Sequence, residues 1–429
     1  MRSPKVVLIG AASTIFGPTT LRDLLLSPVM QGSEIALVDV AEQGLESTLR
    51  FGERLNDALG RECRLSAATD RRAALPDADF VVVSVAVDRE RTWKLDFEIP
   101  LRYGVRHVLG ENGGPGGLSH SLRNIPLLLE IARDVEALAP RAWVINFTNP
   151  MSRLCLALSR HSGVRFVGLC HQIHEGYRLV SEVLGIGAGE FRLLATGLNH
   201  FTWILSMTHA QTGDDLYPVF RQKLRGMPSH FEPLSRELYD VFGLFPAVGD
   251  QHAGEYIGDA WRHVGTDGYD WSWYHNRIAQ VRGDVEAAVR GDESAIQKWI
   301  ASPSLERAQH VLAGLWTGDG HVEEAVNVVN NGAIANLPDG VVVEVPAQIV
   351  RDRILPMQVG PLPHGIAELC NRQIAIQELV VQAAFYGDRN AALQALALDP
   401  VMPDMETARR VLDELLRTHA AYLPRFGGR

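Results

Sequence analysis

The stretch KVVLIGAASTIFGPTTLRDLLL, residues 5–26, decides the fold of this chain. It opens with KVVLI, a short aliphatic run that is typical of a fully buried strand. A turn containing Gly10 and Gly17 follows, and PTTLRDLLL then places apolar residues at helical spacing, with Pro18 tolerated at a helix start. Strand, glycine turn and helix in this order are typical of the first unit of a nucleotide-binding α/β fold.

The same alternation continues through the N-terminal part of the chain. EIALVDV (34–40), DADFVVVSVAV (77–87) and RAWVINFTNP (141–150) are predicted strands, and SLRNIPLLLEIARDVEALA (121–139) is a predicted helix between the last two. Continuous apolar strands that alternate with helices indicate a parallel sheet covered on both faces. We therefore expect an α/β protein with a Rossmann-type, doubly wound parallel sheet over residues 1–165.

The pattern changes after about residue 165. VRFVGLC (164–170) begins another strand, and EFRLLATGLNHFTWILSMTH (190–209) is typical of a hairpin with its bend near residues 197–199. DGVVVEVPAQI (339–349) is a late strand, and the last sixty residues have strong helical periodicity. We expect a C-terminal α+β domain over residues 166–429 for substrate, metal and oligomer contacts, with its apolar helices forming either an interface or core.

Composition excludes several classes of protein. The 429 residues carry a net charge of −10 and no basic run, which argues against binding to nucleic acid. Four cysteines without CxxC spacing make a disulfide framework unexpected and favour a reducing compartment. No apolar run approaches the ~18 residues of a membrane span, and the N-terminus lacks the features of a signal peptide. We expect a cytoplasmic protein.

The first turn predicts a dinucleotide site with one departure from the usual glycine pattern. Gly10, Ala11, Ala12 and Ser13 lie where backbone amides approach a pyrophosphate, but Ala12 replaces the second glycine of GxGxxG. Asp39 closes the second strand, where a carboxylate accepts hydrogen bonds from the ribose and favours NAD over NADP. The alternative is an α/β turn that binds nothing, beside a surface aspartate.

Cys170 and His200 are candidate metal ligands that lie thirty residues apart. Taken singly, each is more often a buried thiol or a core histidine. However, Cys170 follows a strand at the sheet edge where α/β folds bind ligands, and His200 lies within the unusual segment GLNHF. Two protein ligands would leave positions open for substrate oxygens, which suits a catalytic ion, and sugar hydroxyls completing an octahedron would make Mn²⁺ plausible.

Eight motifs in order resemble glycoside hydrolase family 4, the NAD- and divalent-metal-dependent glycosidases. The resemblance covers nearly the whole chain. The motifs are GAAST (10–14), DFEIPLRYGV (96–105), GGPGGLSHSLRNIP (113–126), AWVINFTNPM (142–151), GLCH (168–171), GLNHFTWI (197–204), NVVNNGAIANLPDGVVVEVP (327–346) and GPLP (360–363).

The resemblance implies a fold of the lactate/malate dehydrogenase-like superfamily and a role for particular residues. Cys170 and His200 match the positions that hold the metal, normally Mn²⁺. Gly10, Ser13 and Asp39 match the NAD-binding segment. Asn149 matches a residue that contacts the sugar near the nicotinamide, and Glu111 and Asn112 match residues that line the same cleft.

The residue after the metal cysteine varies with the substrate class in this family. Cys170-His171 resembles the branches that act on α-glucosides, α-galactosides and α-galacturonides, which argues against a 6-phosphosugar. His171 is expected to contact the substrate or donate a proton. The base is expected in FPAVGDQHAGEYIG (245–258), as Tyr256 or Asp250, although this segment could also be a polar loop that caps the following helix.

The resemblance therefore implies hydrolysis of an unphosphorylated, α-linked hexoside or uronide by redox, elimination and addition. NAD⁺ would abstract hydride at C3, a base would remove the C2 proton, and the metal would stabilise the enediolate. Two alternatives were weighed: an NAD-dependent dehydrogenase of the lactate/malate type, and a non-catalytic nucleotide-binding regulator. Expected partners are a small carbohydrate and a second or further copies of the chain in a homodimer or homotetramer, without nucleic acid or membrane.

Overall fold

Six parallel strands form the N-terminal part of one continuous sheet in a computed structural model that describes residues 2–427. They are β1 (Lys5–Ile9), β2 (Glu34–Val38), β3 (Arg64–Ala68), β4 (Phe80–Val83), β5 (Trp143–Asn146) and β6 (Arg165–Gly168). Their order across the sheet is β3-β2-β1-β4-β5-β6, which is the Rossmann order. The predicted doubly wound parallel sheet is confirmed.

The predicted third strand is the fourth strand of the chain. The segment 77–87 supplies only the four residues of β4, and β3 precedes it at the edge of the sheet. No residue of β3 is buried, so RLSAA lacks the apolar pattern that reveals an internal strand.

The C-terminal strands extend the same sheet in antiparallel fashion. They are β7 (Phe191–Leu198), β8 (Phe201–His209), β9 (Val322–Val329), β10 (Val342–Val350) and β11 (Arg353–Pro356). The sheet continues from β6 through β9, β10 and β7 to β8, and the β6–β9 join pairs Gly168 with Asn327. The predicted hairpin is confirmed as β7–β8, with Asn199 and His200 forming its bend. Because the sheet crosses residue 165 without a break, the division into 1–165 and 166–429 stays a proposal about function.

Helices cover both faces of the sheet. They are α1 (Phe16–Leu26), α2 (Glu42–Leu59), α3 (Arg71–Ala74), α4 (Arg89–Arg102), α5 (Gly114–Leu138), α6 (Met151–His161), α7 (Gln172–Leu184), α8 (Tyr217–Leu224), α9 (Pro233–Phe242), α10 (Asp250–Ala253), α11 (Trp261–Val264), α12 (Trp271–Val289), α13 (Glu293–Ala301), α14 (Ala308–Thr317), α15 (His364–Tyr386), α16 (Arg389–Leu398) and α17 (Met405–Thr418). One face packs against α1, α2 and α12–α14, and the other packs against α5, α6 and α15–α17. Helices α7–α9 pack against the β7–β8 hairpin.

Strand β1 shows why the central N-terminal strands are largely apolar. Val6 and Leu8 point into the hydrophobic core on one face, and Val7 and Ile9 point into the core on the other. Successive side chains of a strand point to opposite faces, so a strand with helices on both sides buries every residue.

The apolar C-terminal helices belong to the core of the chain. Helix α15 packs against α5 and α6, and its buried face joins the hydrophobic cluster on that side of the sheet. Because these helices are core, they do not support the predicted homodimer or homotetramer, and the oligomeric state stays a prediction.

All four cysteines are free thiols. Within residues 2–427, no helix combines the length and apolar character needed to cross a bilayer.

A buried charged cluster joins the C-terminal segment to the N-terminal helices. Asp96 on α4 binds Arg123 on α5, with Oδ1 3.1 Å from Nη1, and His419 Nε2 lies 2.9 Å from the same Oδ1. All three side chains are buried. Burial alone would raise the pKa of Asp96, but the charge of Arg123 and the contact with His419 hold that pKa below its usual range. The ionised carboxylate is therefore the form that the fold requires.

Replacing Asp96 with asparagine is expected to lower the free energy of unfolding by about 3–5 kcal/mol, because Arg123 would be left buried without its counter-charge. Urea unfolding at pH 7 measures the loss. Because the folded pKa of Asp96 is depressed, this contribution is present above the unfolded pKa near 4 and is lost as the pH falls below it. Asp413→Asn, which removes an exposed ion pair with Arg389, is the matched control and should cost at most about 1 kcal/mol. Equal losses in the two variants would contradict the prediction.

Candidate metal and nucleotide site

The predicted site residues lie at the carboxyl ends of the parallel strands. Gly10 follows β1, Asn149 lies in the turn after β5, and Cys170 follows β6. Strands β1 and β4 are neighbours at the centre of the sheet, where the strand order reverses. This switch point is where open α/β sheets form a ligand-binding crevice.

The turn after β1 leaves no room for a side chain at either of its glycines. Gly10 has a φ of +97°, and a Cβ built on it would lie 1.9 Å from the main-chain oxygen of Ser84. A Cβ on Gly17 would lie 2.0 Å from the main-chain oxygen of Ala11. Ala11 is buried, whereas Ser13 is exposed at the tip of the turn. The turn therefore needs glycine at both ends and leaves Ser13 available to a ligand.

Asp39 joins this turn to the end of β2. Its Oδ2 accepts a hydrogen bond from the amide of Ala12 at 3.0 Å, and its Oδ1 accepts one from the amide of Ala41 at 3.0 Å. The side chain stays partly exposed, and each carboxylate oxygen has a further lone pair. Asp39 can thus stabilise the turn and also accept hydrogen bonds from ribose hydroxyls. Its role in NAD binding stays a prediction.

Gly10→Ala is expected to weaken NAD binding at least tenfold, because the added Cβ would force the turn away from Ser84. Isothermal titration with NAD⁺ measures the effect. Gly60→Ala is the matched control, since Gly60 also has a positive φ, +58°, but has open space around it. The control should lose about 1 kcal/mol of stability and keep its NAD affinity. Wild-type affinity in Gly10→Ala would show that the turn does not bind the nucleotide.

Cys170 and His200 meet across the sheet edge. Cys170 Sγ lies 3.5 Å from His200 Nε2. A divalent ion such as zinc, with bonds of about 2.3 Å to sulfur and about 2.1 Å to nitrogen at about 90–110°, would separate these atoms by about 3.1–3.6 Å. His200 has a φ of +61° in the hairpin bend, and Asn112 Nδ2 lies 3.0 Å from its Nδ1. This contact fixes the orientation of the His200 ring in the bend.

The electrostatic environment also fits a cation. Burial lowers the pKa of His200 well below its ordinary value, so the imidazole is neutral and can bind a metal. Burial, and next the charge of Glu344, raise the pKa of the Cys170 thiol far above its usual range. A thiolate at this position therefore requires a nearby positive charge, which a bound metal ion would supply.

Two further side chains adjoin the pair that the sequence predicted. The rings of His252 and His200 have centroids 4.4 Å apart, and potential ligand atoms of His200, His252 and Glu255 lie within 4.8 Å of one another. His252 Nδ1 and Glu255 Oε2 are buried without a hydrogen-bond partner. Burial lowers the pKa of His252 to about 4, so its ring is also neutral. The sequence analysis predicts the base in 245–258 but does not assign His252 or Glu255 to the metal.

Glu255 also anchors the loop that carries Glu111 and Asn112. Its Oε1 accepts hydrogen bonds from the amides of Glu111 and Asn112, each at 2.7 Å, and from Gly113 at 3.2 Å. Burial, with a smaller contribution from Glu111, raises the pKa of Glu255 to about 8. A Cβ on Gly113 would lie 2.2 Å from the main-chain oxygen of Glu255, which explains the glycine there.

The predicted substrate residues Glu111, Asn112 and Asn149 form one cluster. Asn149 Nδ2 donates to Glu111 Oε1 at 3.4 Å, and Asn112 Nδ2 donates to Glu111 Oε2 at 3.2 Å. Asn149 Oδ1 is buried without a partner, so it has a free acceptor. Because Asn112 also contacts His200, this cluster connects the candidate metal pair to the turn after β5.

His171 lies at the open side of the site. Its side chain is 52% exposed, and its Nδ1 lies 3.2 Å from Glu306 Oε1. The hydrogen bond to Glu306 is the main cause that raises the pKa of His171, and Glu175 and Glu111 add to it. This position suits the predicted contact with substrate, and no observation tests that role.

The two predicted bases have different surroundings. Asp250 accepts hydrogen bonds from the amides of Leu234 and Ser235 at 2.8 and 2.7 Å, and from Ser235 Oγ at 2.7 Å, so it binds the start of α9. Tyr256 Oη donates to the main-chain oxygen of Asn199 at 3.3 Å, beside His200. Burial raises the pKa of Tyr256 well above its ordinary value.

Comparisons with known proteins give consistent matches over nearly the whole chain. Residues 5–186 match the model described as family 4 glycosyl hydrolase, and residues 195–402 match that of the family 4 glycosyl hydrolase C-terminal domain. An α-glucosidase from Erwinia rhapontici is 34% identical over 98% of both chains, and an α-galactosidase from Bacillus subtilis is 30% identical over 98% of this chain and 99% of that protein. The structure of a 6-phospho-α-glucosidase from gut microorganisms in complex with NAD and Mn²⁺ is 22% identical, with a TM-score of 0.85 over 99% of both chains.

Proposed function

We propose that this chain, which belongs to family 4 of the glycosyl hydrolases, cleaves the α-O-glycosidic bond of an unphosphorylated hexoside with the help of NAD and a divalent metal ion. The observation that carries the proposal is the 3.5 Å contact between Cys170 Sγ and His200 Nε2, at the same sheet edge as the turn at Gly10. A thiol paired with a neutral, buried imidazole suits a metal ion whose remaining positions are open to substrate oxygens.

When bound, NAD⁺ would accept and return the hydride at C3 of the sugar, and the metal ion would act as a Lewis acid on the C2 and C3 oxygens. Cys170 and His200 would hold the ion, with His252 and Glu255 as further donors. Gly10, Ala11, Ala12, Ser13 and Asp39 would hold the nucleotide. Asn149 and Asn112 would orient the sugar hydroxyls between the two groups, through amides that already share Glu111.

Tyr256 is the base that we favour for the C2 proton. Its hydroxyl bonds to the residue before His200, which places the phenol beside the metal pair. All three hydrogen bonds that Asp250 accepts come from Leu234 and Ser235, so this carboxylate serves to hold α9. Burial disfavours the phenolate of Tyr256, and the adjacent cation would offset that penalty.

A neutral sugar fits the site better than a uronide or a phosphorylated sugar. Three carboxylates, those of Glu306, Glu175 and Glu111, raise the pKa of His171, which indicates a negative potential where the substrate would enter. Arg91, Arg102 and Arg123 are each paired with an acid, Asp88, Glu414 and Asp96 respectively. The charge of Arg89 near the cleft is already opposed by Glu111. The relatives that are 34% and 30% identical to this chain are named α-glucosidase and α-galactosidase. Both names describe activity on neutral α-hexosides.

The test is an assay with nitrophenyl glycosides in the presence of NAD⁺, Mn²⁺ and a thiol reductant. We expect release of nitrophenol from α-glucoside or α-galactoside without net formation of NADH, and weaker release from α-galacturonide and from 6-phosphoglucosides. Stoichiometric NADH without nitrophenol would instead identify a dehydrogenase of the lactate/malate type and refute the proposal.

A further inference from the structure

Two of the sequence motifs, 197–204 and 327–346, meet at one buried carboxylate, that of Glu344 on β10. Its Oε2 accepts hydrogen bonds from Asn199 Nδ2 at 2.7 Å and from Asn327 Nδ2 at 2.8 Å. Glu344 is only 2% exposed, and both asparagines are buried. Glu344 lies in register with Asn327 on β9 and with Gly197 on β7, so it links the two strands that flank β10.

This network supports both segments that carry the candidate metal ligands. Asn199 is the residue before His200 in the hairpin bend. Asn327 is in register with Gly168, two residues before Cys170. The carboxylate of Glu344 therefore lies behind the metal pair, at the base of the bend and of the end of β6.

Glu344 has no cationic partner among residues 2–427, unlike the buried acids Asp96 and Glu323. In the part of the chain that the structure describes, its hydrogen bonds come from the two asparagines, and no arginine, lysine or histidine pairs with it. Glu323 on the adjacent strand is as deeply buried, but Arg307 and His321 pair with it. A buried carboxylate without a counter-charge is costly, and burial raises the pKa of Glu344. A cation bound beside it would lower that cost.

We infer that Glu344 is a positioning residue for the metal: it braces the bend at His200 and compensates the charge of a divalent cation held by Cys170 and His200. This inference rests on the proposed metal site. In a site where Cys170 is the anionic ligand and Glu255 is a neutral donor, a divalent ion keeps one positive charge, and Glu344 supplies one negative charge behind it. Carboxylates that support a metal site from outside the ligand set typically contribute a factor of about 10–100 to the metal affinity.

The test compares Glu344→Gln with wild-type full-length protein, before and after removal of metal with EDTA. Glutamine keeps an oxygen acceptor for Asn199 and Asn327 but removes the charge. We expect the metal-free variant to unfold at the same temperature as metal-free wild type or at a higher one. We expect its Kd for Mn²⁺, from titration followed by electron paramagnetic resonance, to rise at least tenfold, while its Kd for NAD⁺ stays within twofold.

Glu323→Gln is the matched control, because it removes a buried acid that already has cationic partners. Its metal-free form should unfold at a lower temperature than wild type, the opposite sign from Glu344→Gln. A Glu344→Gln variant that binds Mn²⁺ within twofold of wild type, or that is destabilised or unfolded without metal, would assign Glu344 a purely structural role and overturn the inference. Wild-type protein that binds no Mn²⁺ would overturn the proposed metal site itself, and the inference with it.

Discussion

A Cys170→Ser variant is expected to lose about 10³-fold in kcat on its best glycoside at saturating NAD⁺ and Mn²⁺. The sulfur lies 3.5 Å from His200 Nε2, and a serine hydroxyl is a poor replacement for a thiolate ligand. If the ion contributes several kcal/mol of stabilisation to the transition state, its loss or displacement corresponds to a factor of this size. Nitrophenol release and the Kd for Mn²⁺ should change together.

Cys370→Ser is the control for the effect of removing a thiol. Cys370 is buried in the hydrophobic core on α15 and is not among the candidate ligands. This variant should lose some stability and keep its Kd for Mn²⁺ and its kcat. Full activity of Cys170→Ser in the presence of a chelator would refute the metal assignment and, with it, the proposed mechanism.

A Tyr256→Phe variant is expected to lose about 10²–10⁴-fold in kcat, the usual contribution of a general base. Its hydroxyl contacts the main chain beside His200, and phenylalanine keeps the packing of the ring against Phe201. The diagnostic measurement is exchange of the C2 hydrogen with D₂O, because only removal of the C2 proton permits it. We expect wild-type protein to exchange this hydrogen and Tyr256→Phe to lose the exchange.

Asp250→Asn separates the two predicted bases. Because Asp250 holds the start of α9, we expect this variant to lose about 1–2 kcal/mol of stability, as for the loss of a helix cap, and to retain C2 exchange. Loss of exchange in Asp250→Asn, with exchange retained in Tyr256→Phe, would assign the base to Asp250 instead.

The sequence predicted those parts of the fold where burial leaves a pattern. Strands β1, β4 and β5 are apolar throughout because helices cover both faces, and Gly10 marks a turn that admits no side chain. The approach of Cys170 to His200 was predictable from position, because the end of a parallel strand and a hairpin bend both lie at the edge of the sheet where ligands bind.

Other parts of the structure left no such pattern. Strand β3 was missed because its residues are exposed or half-exposed, and β9 was missed because glutamates and asparagine interrupt its valines. The proximity of His252 and Glu255 to His200 depends on how a loop and two short helical turns fold over the bend, which no spacing rule describes. Glu344 lies in an apolar run, so only the structure reveals that it has two amide partners and no cation.

The single sheet that passes from β6 to β9 limits how this enzyme can move. Opening the nucleotide half away from the metal half, as a clamshell does, would require breaking main-chain hydrogen bonds in the middle of a buried sheet. The spacing between the nucleotide turn and the metal pair is thus a rigid property of the backbone. Sugar entry and release would then depend on side chains at the rim, where His171 and Glu306 meet, rather than on opening of the sheet.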